Sequence, residues 1–152
     1  MNKTIDLHVH STASDGTFTP TELVAEAKRC GLSAFALTDH DTVDGISEAL
    51  AAGKASGLEV IPGVELSTEY NETEIHVVGL FIDPANTELQ AELAKFRDNR
   101  DNRNLKMIEK LQEEGFRITA EDLYRLNPDT VVARPHIARY LVDSGQEKDL
   151  KT

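Results

Sequence analysis

The sequence predicts an α/β fold in which an incomplete, distorted β/α barrel is followed by a helical subdomain. Three observations lead to this prediction. Strand-like and helix-like segments alternate over residues 4–61, as they do in parallel sheets and β/α barrels. Two more strand-like segments follow, separated by a turn-like segment. From Asn86 onward only helical patterns occur, and the five predicted strands are fewer than the roughly eight that close a barrel.

The first strand and the first helix have clear local signals. The strand is predicted over residues 4–10, where apolar and polar side chains alternate. After a polar loop, a helix is predicted to begin with Thr19 as the N-cap, Pro20 at the first position and Glu22 completing a capping box. Gly31 is expected to end it, because glycine readily adopts the left-handed conformation that closes a helix.

The next elements continue the alternation. A short apolar segment predicts a second strand over residues 33–38, and a helix is predicted over residues 43–56. A third strand is predicted over residues 58–61. Residues 66–69 and 75–82 are predicted to form a hairpin.

The second part of the chain is predicted to be helical. A long helix is expected over residues 86–114, with shorter helices over residues 120–126 and 135–142. We therefore expect residues 1–96 to form the first part of the barrel domain. Residues 97–152 are expected to form a helical insertion subdomain, in a chain that is truncated before its barrel closes.

Composition excludes several functional classes. The net charge of −11 argues against an extended nucleic-acid-binding face, which needs many cations to neutralise phosphates. Phosphate chemistry stays possible, because bound metal ions can supply local positive charge. No apolar run of about 18 residues predicts a membrane span. The single cysteine, Cys30, is expected to be a small core residue and fits a reducing cytoplasm.

Histidines and carboxylates are concentrated at the predicted strand ends. His8 and His10 are two residues apart on a strand, so their imidazoles leave the same face about 6.5–7 Å apart and can converge on one cation. Alone, such a pair can equally be two ordinary surface histidines. Asp15, His40 and Glu65, however, follow the first, second and third predicted strands, at the end where β/α barrels carry active sites. We therefore predict a metal site.

Five short motifs carry a resemblance to a known family. They are D-L-H-V-H-S at 6–11, S-D-G at 14–16, L-T-D-H-D at 37–41, P-G-V-E at 62–65 and E-I-H-V-V-G at 74–79. In this order they resemble successive motifs of the PHP (polymerase and histidinol phosphatase) family, whose domains are distorted β/α barrels with a multinuclear metal site. The resemblance is specific over about the first 80 residues and looser beyond them.

The resemblance implies two or three divalent cations held by histidines and carboxylates. The implied ligands are His8, His10 and Glu65 for one cation, Asp15 and His40 for a second, and Glu65 with His76 for a third. Nitrogen and oxygen ligands without sulfur suit Mn²⁺, which we expect first, and also Fe²⁺ or Zn²⁺. Such ions lower the pKa of bound water and clamp the oxygens of a phosphoryl group, which supports hydrolysis.

One of these implied ligands and two neighbouring aspartates depart from the pattern of strand ends. His76 begins a predicted strand instead of ending one, so its approach to Glu65 depends on the hairpin. Asp39 and Asp41 are expected to be structural. Asp39 leaves the strand on the face opposite His40, and Asp41 can cap the next helix.

Residues 97–104 of the long helix contain no apolar side chain. Two such turns are not expected to pack on a core. Arg97, Arg100 and Arg103 are three residues apart and share one side of the helix. One interpretation is a solvated stretch with local ion pairs to neighbouring aspartates. The other is a guanidinium cluster that binds phosphate or carboxylate oxygens.

Arg134-Pro135-His136 supports the second interpretation. Pro135 suits the first turn of a helix, whose N-terminus attracts anions. In the PHP branch resembling RNase AM and nucleoside bisphosphate phosphatases, an arginine-bearing helix and an Arg-Pro-His-like turn belong to a subdomain over the metal site. The resemblance thus implies that Arg100, Arg103, Arg134 and His136 bind the substrate.

The resemblance implies a metal-dependent phosphoesterase. The expected substrate is either a small phosphorylated nucleotide, namely a nucleoside 3′,5′-bisphosphate, or the 5′ end of a short RNA. The arginines would bind the phosphate that does not react. One alternative is a PHP phosphatase for another small phosphomonoester such as histidinol phosphate. The other is a non-catalytic metal-binding fragment, favoured by the incomplete barrel. From that barrel we also expect weak activity and a tendency to self-associate.

Overall fold

The computed structural model describes residues 4–71 and 73–149, which form four strands and five helices. In chain order they are β1 (Thr4–Val9), α1 (Pro20–Arg29), β2 (Leu32–Leu37), α2 (Ile46–Ser56), β3 (Glu59–Tyr70), β4 (Thr73–Leu80), α3 (Thr87–Glu113), α4 (Ala120–Leu126) and α5 (Arg134–Asp143). The predicted α/β class and the change to an all-helical second part are confirmed.

The strands form one sheet in the order β1-β2-β3-β4. β1 pairs in parallel with β2, and β2 in parallel with the first part of β3, whereas β4 pairs antiparallel with β3. Helices α1 and α2 connect the parallel strands, as in a β/α barrel. Because parallel strands end at the same edge of a sheet, the loops that follow β1 and β2 meet beside the middle of β3.

β3 is one continuous strand where the sequence predicts two. Residues 59–62 pair with β2, and residues 63–70 pair with β4, so the strand changes partners between Pro62 and Gly63. A Cβ atom on Gly63 would lie 2.7 Å from the Thr38 Cγ2 atom, and glycine therefore permits the close approach of the two strands. The prediction of five separate strands is wrong, because the Pro-Gly pair continues the strand instead of ending it.

The helix boundaries follow their local signals at α1 and depart from them at α2. The capping box is confirmed, with Thr19 Oγ1 accepting from Glu22 N at 3.2 Å and Glu22 Oε2 accepting from Thr19 N at 2.8 Å. Gly31 adopts a φ of 76° after the helix, as predicted. α2 begins only at Ile46. The predicted capping role of Asp41 is wrong, because that side chain bonds to other parts of the fold.

Among the described residues, apolar side chains form two core clusters. One packs α1 and α2 on the sheet and includes Phe35 and Ile46. The other joins the C-terminal half of α3 to α4 and α5 and includes Ile108 and Leu123. The separate cores agree with a sheet unit and a helical unit, while the boundary at residue 96 stays a prediction.

Cys30 lies exposed at the C-cap of α1, so its predicted core position is wrong. The cytoplasmic location inferred from this single cysteine stays a prediction. In the part of the chain that the structure describes, no helix has both the length and the apolar character that crossing a membrane requires.

Candidate metal centre

The structure brings all six predicted metal ligands into one cluster. They form three overlapping groups, and within each group the ligand atoms lie within 4.8 Å of one another. The groups are His8, His10 and Glu65; His10, Asp15 and His40; and His40, Glu65 and His76. The clustering follows from the strand ends, as the sequence predicts, while the binding of metal by these residues stays a prediction.

Glu65 is the centre of the cluster. Its Oε2 atom lies 2.9 Å from His8 Nε2, 3.0 Å from His10 Nε2 and 3.3 Å from His40 Nδ1, and its Oε1 atom lies 3.0 Å from His76 Nδ1. The Glu65 side chain is only 5% exposed. Burial raises the pKa of this carboxyl, but a hydrogen bond from His8 and the neighbouring imidazoles outweigh burial and lower it. Glu65 is therefore ionised where several nitrogen ligands converge.

His40 supplies a second buried ligand. Its Nδ1 atom is buried and has no hydrogen-bond partner among the described residues, although Glu65 Oε2 lies nearby. Burial lowers the pKa of His40 to about 4, so the ring is neutral at pH 7. A neutral imidazole is the form that binds metal. The unpartnered nitrogen and the nitrogen-and-oxygen donor set both fit a divalent cation.

Asp15 belongs to the cluster through His10 and His40. Its Oδ1 atom lies 3.5 Å from His10 Nδ1, and its Oδ2 atom lies 3.6 Å from His40 Nε2. These separations exceed hydrogen-bond length. They leave space in which one cation could contact all three side chains.

The loop that carries Asp15 is fixed by Asp39. This buried carboxylate accepts hydrogen bonds from Ser11 N at 2.7 Å, from Ser11 Oγ at 2.6 Å and from Ser14 Oγ at 2.6 Å. A Cβ atom on Gly16 would lie 2.2 Å from the His10 carbonyl oxygen, so only glycine allows the loop to fold back this tightly. The predicted structural role of Asp39 is confirmed.

Asp41 connects the metal centre to the helical unit. It has a positive φ of 54°, and its N–H donates to the Glu65 carbonyl oxygen at 3.0 Å. Its Oδ1 atom accepts from Ser67 N at 2.9 Å, and its Oδ2 atom accepts from Arg100 Nε at 3.0 Å and Nη2 at 2.8 Å. Arg97 Nη1 donates to the Asp41 carbonyl oxygen. The predicted structural role of Asp41 is therefore confirmed, with partners on β3 and α3.

The apolar-free part of α3 is packed through polar contacts. Arg100 and Asn104 are both buried, and Asn104 Nδ2 donates to the Val132 carbonyl oxygen at 3.0 Å. Asp101 accepts a hydrogen bond from Tyr124 Oη at 2.6 Å. The solvated interpretation of this segment is therefore wrong, because a helix can pack through paired polar side chains as well as through apolar ones.

Arg103 and Arg134 meet at one carboxylate beside the metal centre. Arg103 Nη1 lies 3.0 Å from Glu74 Oε1, and Arg134 Nη1 lies 2.7 Å from Glu74 Oε2. His76 Nε2 lies 3.2 Å from Glu74 Oε1. The hydrogen bond from Arg134 and the other positive neighbours hold the pKa of Glu74 at about 2. Two of the predicted substrate-binding arginines, Arg103 and Arg134, thus contact the same carboxylate as His76, a predicted metal ligand.

His136 has a local partner at the start of α5. Its Nδ1 atom accepts a hydrogen bond from the Ala133 N–H at 3.0 Å. Burial lowers the pKa of His136, and the negative charge of Asp15 partly offsets that shift. The neutral ring therefore carries its proton on Nε2.

Sequence reasoning missed Glu74 and Ser67. Glu74 precedes His76 by two residues on one strand, so both side chains leave the same face of β4. That spacing, the same as between His8 and His10, was an available signal for Glu74. Ser67 accepts a hydrogen bond from Arg100 Nη2, and no local pattern indicates it.

Known proteins resemble this chain in both sequence and fold. A family model described as the PHP domain matches residues 6–149. A 5′-3′ exoribonuclease of Haemophilus influenzae is 44% identical over 146 residues, covering 96% of this chain and 53% of the relative. A 3′,5′-nucleoside bisphosphate phosphatase of Chromobacterium violaceum is 41% identical over 150 residues, covering 97% and 52%.

A solved structure gives the same result for the fold. An amidohydrolase from Chromobacterium violaceum, solved with bound sulfate and no metal, superimposes with a TM-score of 0.86 at 41% identity. The match covers 97% of this chain and 52% of that one. The chain therefore spans about half the length of the relatives that it matches.

Proposed function

The chain belongs to the PHP family, and from this premise we propose that it serves the metal-dependent hydrolysis of a nucleotide phosphate ester. The observation that carries the proposal is the buried Glu65 carboxylate with four imidazoles around it. A nucleoside bisphosphate and RNA are the substrate classes in the names of the two similar relatives. We therefore propose a nucleoside 3′,5′-bisphosphate or the 5′ end of a short RNA as the substrate.

Two or three divalent cations are proposed for the cluster, with Mn²⁺ first and Fe²⁺ or Zn²⁺ as alternatives. The proposed ligands are the six side chains of the three groups, His8, His10, Asp15, His40, Glu65 and His76. When bound, such cations supply Lewis-acid activation of water and of the phosphate ester. Glu65, which belongs to two of the groups, would fix the position of one cation relative to another.

The arginines are proposed to bind the phosphate that does not react. Arg103 and Arg134 lie next to His76 through their shared partner Glu74, so a second phosphate at the edge of the cluster would find two guanidinium groups. Arg100 has its Nε and Nη2 atoms bound to Asp41, so it would contribute through its remaining nitrogen and its charge.

His136 is included in the same proposed set. Its Nδ1 atom is bound to the Ala133 N–H, which leaves the Nε2–H as the group that could donate to a substrate oxygen. Because it lies in the first turn of α5 together with Arg134, both residues would act on the same part of the substrate.

The arrangement favours this function over two alternatives. A phosphomonoester such as histidinol phosphate has one phosphate for the metal ions and no second phosphate for the pair formed by Arg103 and Arg134. A non-catalytic metal-binding module would not need the guanidinium groups of Arg103 and Arg134 beside the metal ligands.

A direct test compares phosphate release from adenosine 3′,5′-bisphosphate and from histidinol phosphate in the presence of Mn²⁺. The protein is tested as the 152-residue chain and as a chimera in which it replaces the matched part of the Chromobacterium violaceum phosphatase. We expect hydrolysis of the bisphosphate by the chimera, and its loss in the His40→Ala chimera. Faster hydrolysis of histidinol phosphate would support the first alternative. A chimera that binds metal normally without hydrolysing either compound would contradict an enzymatic function.

A further inference from the structure

Glu74 lies between two groups of residues that the proposed function treats separately. On one side its Oε1 atom is 3.2 Å from Nε2 of His76, a proposed metal ligand. On the other side its two oxygens bind Arg103 at 3.0 Å and Arg134 at 2.7 Å. The partners come from three elements, since His76 lies on β4, Arg103 on α3 and Arg134 on α5. One carboxylate thus joins the sheet to both helices.

The two nitrogens of His76 face different carboxylates. Nδ1 lies 3.0 Å from Glu65 Oε1, within the ligand group that also contains His40. Nε2 faces Glu74, which lies outside that group. A cation held together with Glu65 must therefore approach Nδ1, and the ring proton must then be on Nε2.

A carboxylate that accepts the second N–H of a metal-binding histidine fixes both the tautomer and the ring orientation. Glu74 has the position for this role, because it leaves the same face of β4 as His76, two residues earlier. Of the six proposed ligands, His76 is the one whose place in the cluster depends on the hairpin, and it is the ligand that Glu74 contacts.

The contacts to Arg103 and Arg134 give Glu74 a second effect. Both guanidinium groups carry a positive charge and would repel each other without an anion between them. With Glu74 present, each is fixed by one charge-assisted hydrogen bond at the edge of the metal centre.

We propose that Glu74 is a positioning residue that directs Nδ1 of His76 to the metal and holds Arg103 and Arg134 beside it. This inference rests on the proposed function in so far as His76 is a metal ligand. Glu74 itself contacts neither the cation nor the reacting atoms. The metal-binding geometry and the site for the second phosphate therefore depend on the same side chain, that of Glu74.

The first test measures which nitrogen of His76 binds metal. The 152-residue chain, labelled with ¹⁵N-histidine and loaded with ¹¹³Cd²⁺, should show cadmium–nitrogen coupling to Nδ1 of His76. In Glu74→Ala we expect this coupling to be lost or transferred to Nε2. Cadmium affinity at the site formed by His40, Glu65 and His76 should fall roughly 10- to 100-fold, the usual effect of removing such a carboxylate.

Two further variants separate the roles. In Glu74→Gln the amide oxygen can still accept from Nε2–H, so coupling to Nδ1 should survive while the ion pairs with the arginines are lost. Glu69→Ala is the control, because Glu69 pairs directly with Glu74 across the hairpin and lies on its exposed part. It should change neither coupling nor affinity.

A second measurement tests the arginines. Binding of adenosine 3′,5′-bisphosphate to the cadmium-loaded chain should weaken in both Glu74→Ala and Glu74→Gln, but not in Glu69→Ala. Tighter binding in the two Glu74 variants would show that the carboxylate competes with the substrate, and would overturn the positioning of the arginines.

The outcomes also separate this inference from the proposed function. Unchanged Nδ1 coupling and cadmium affinity in Glu74→Ala would overturn the role of Glu74 and leave the metal centre intact. Failure of the parent chain to bind cadmium would contradict the metal centre itself, and with it this proposal.

Discussion

The histidine cluster on the sheet and the arginines on the helices are neighbouring charged regions that differ in how their polar groups are satisfied. In the cluster, four imidazoles surround Glu65, and His40 Nδ1 has no hydrogen-bond partner among the described residues. On the helices, Arg100 and Arg103 each bind a carboxylate, although Arg103 Nε is also buried without a hydrogen-bond partner among the described residues. The first region therefore leaves a neutral imidazole nitrogen available to the proposed cation, whereas the arginine charges of the second region are paired within the protein.

The comparison shows that similar residue types can have different tasks. Arg100 is buried and holds Asp41, the residue that follows His40, so it acts first on the shape of the metal centre. Arg103 and Arg134 are more exposed and share a single carboxylate that a substrate phosphate could resemble. Variants of the two regions should therefore fail in different ways.

The largest effect is expected from Glu65 in the histidine cluster. Glu65 belongs to two of the three ligand groups, whereas His8 belongs to one. Glu65→Gln should therefore lose at least two cations and His8→Ala one, as measured by elemental analysis after loading with Mn²⁺, Fe²⁺ or Zn²⁺. If the two variants and the parent have equal metal contents, Glu65 is not a central ligand and His8 is not a peripheral one.

The next effect concerns the stability provided by the helical region. Arg100→Ala would leave the Asp41 carboxylate buried without its ion-pair partner. Removing one partner of a buried pair costs about 3–5 kcal/mol. Urea unfolding of the metal-free chain should show this loss, while Lys95→Ala, at an exposed ion pair on the same helix, should be nearly neutral. A loss below about 1 kcal/mol in Arg100→Ala would mean that the pair is not desolvated.

A smaller effect is expected from Arg103 and Arg134, the two arginines that share Glu74. In the active chimera, Arg103→Ala or Arg134→Ala should lower kcat/KM for a bisphosphate roughly 10- to 100-fold, since a charge-assisted hydrogen bond contributes about 1.5–3 kcal/mol. Hydrolysis of a simple monophosphate should change much less. Steady-state kinetics that show equal losses for both substrates would indicate a structural role for the two arginines.

A further effect, on stability alone, is a pH dependence of the metal-free chain. Burial holds the pKa of His40 at about 4 in the folded protein, against 6.5 as its ordinary value. As the pH falls from 6.5 to 4, the unfolded chain takes up a proton that the folded chain refuses, so stability declines over this window. Urea midpoints of the parent should fall more steeply there than those of His40→Asn. Parallel curves would show that His40 titrates normally.

The clustering of the proposed metal ligands could be predicted because their positions depend on local rules. Strand alternation places His8 and His10 on one face, and the polarity of a parallel sheet brings His40 and Glu65 to the same edge. His76 was less certain because it needed a hairpin register, which pairs it with Ser67. The capping box of α1 was predictable for the same local reason.

The partners of the arginines could not be predicted from local patterns. Arg100 and Asp41 are 59 positions apart, and their contact depends on how α3 packs on β3. The sequence showed a helix segment without apolar residues but not the polar groups that it would contact. The continuous β3 was missed for a related reason, since its second half is paired with β4 and not with β2.

The side chains around Glu65 are proposed to form a multinuclear metal centre. Anomalous diffraction from crystals of the Mn²⁺- or Zn²⁺-loaded chain tests it most directly. We expect at least two anomalous peaks, one within about 2.0–2.2 Å of nitrogen or oxygen atoms of His8, His10 and Glu65, and another bound by His40. Crystals of the loaded chain with no anomalous peak among these residues, or with peaks only elsewhere on the surface, would rule out a metal centre at Glu65.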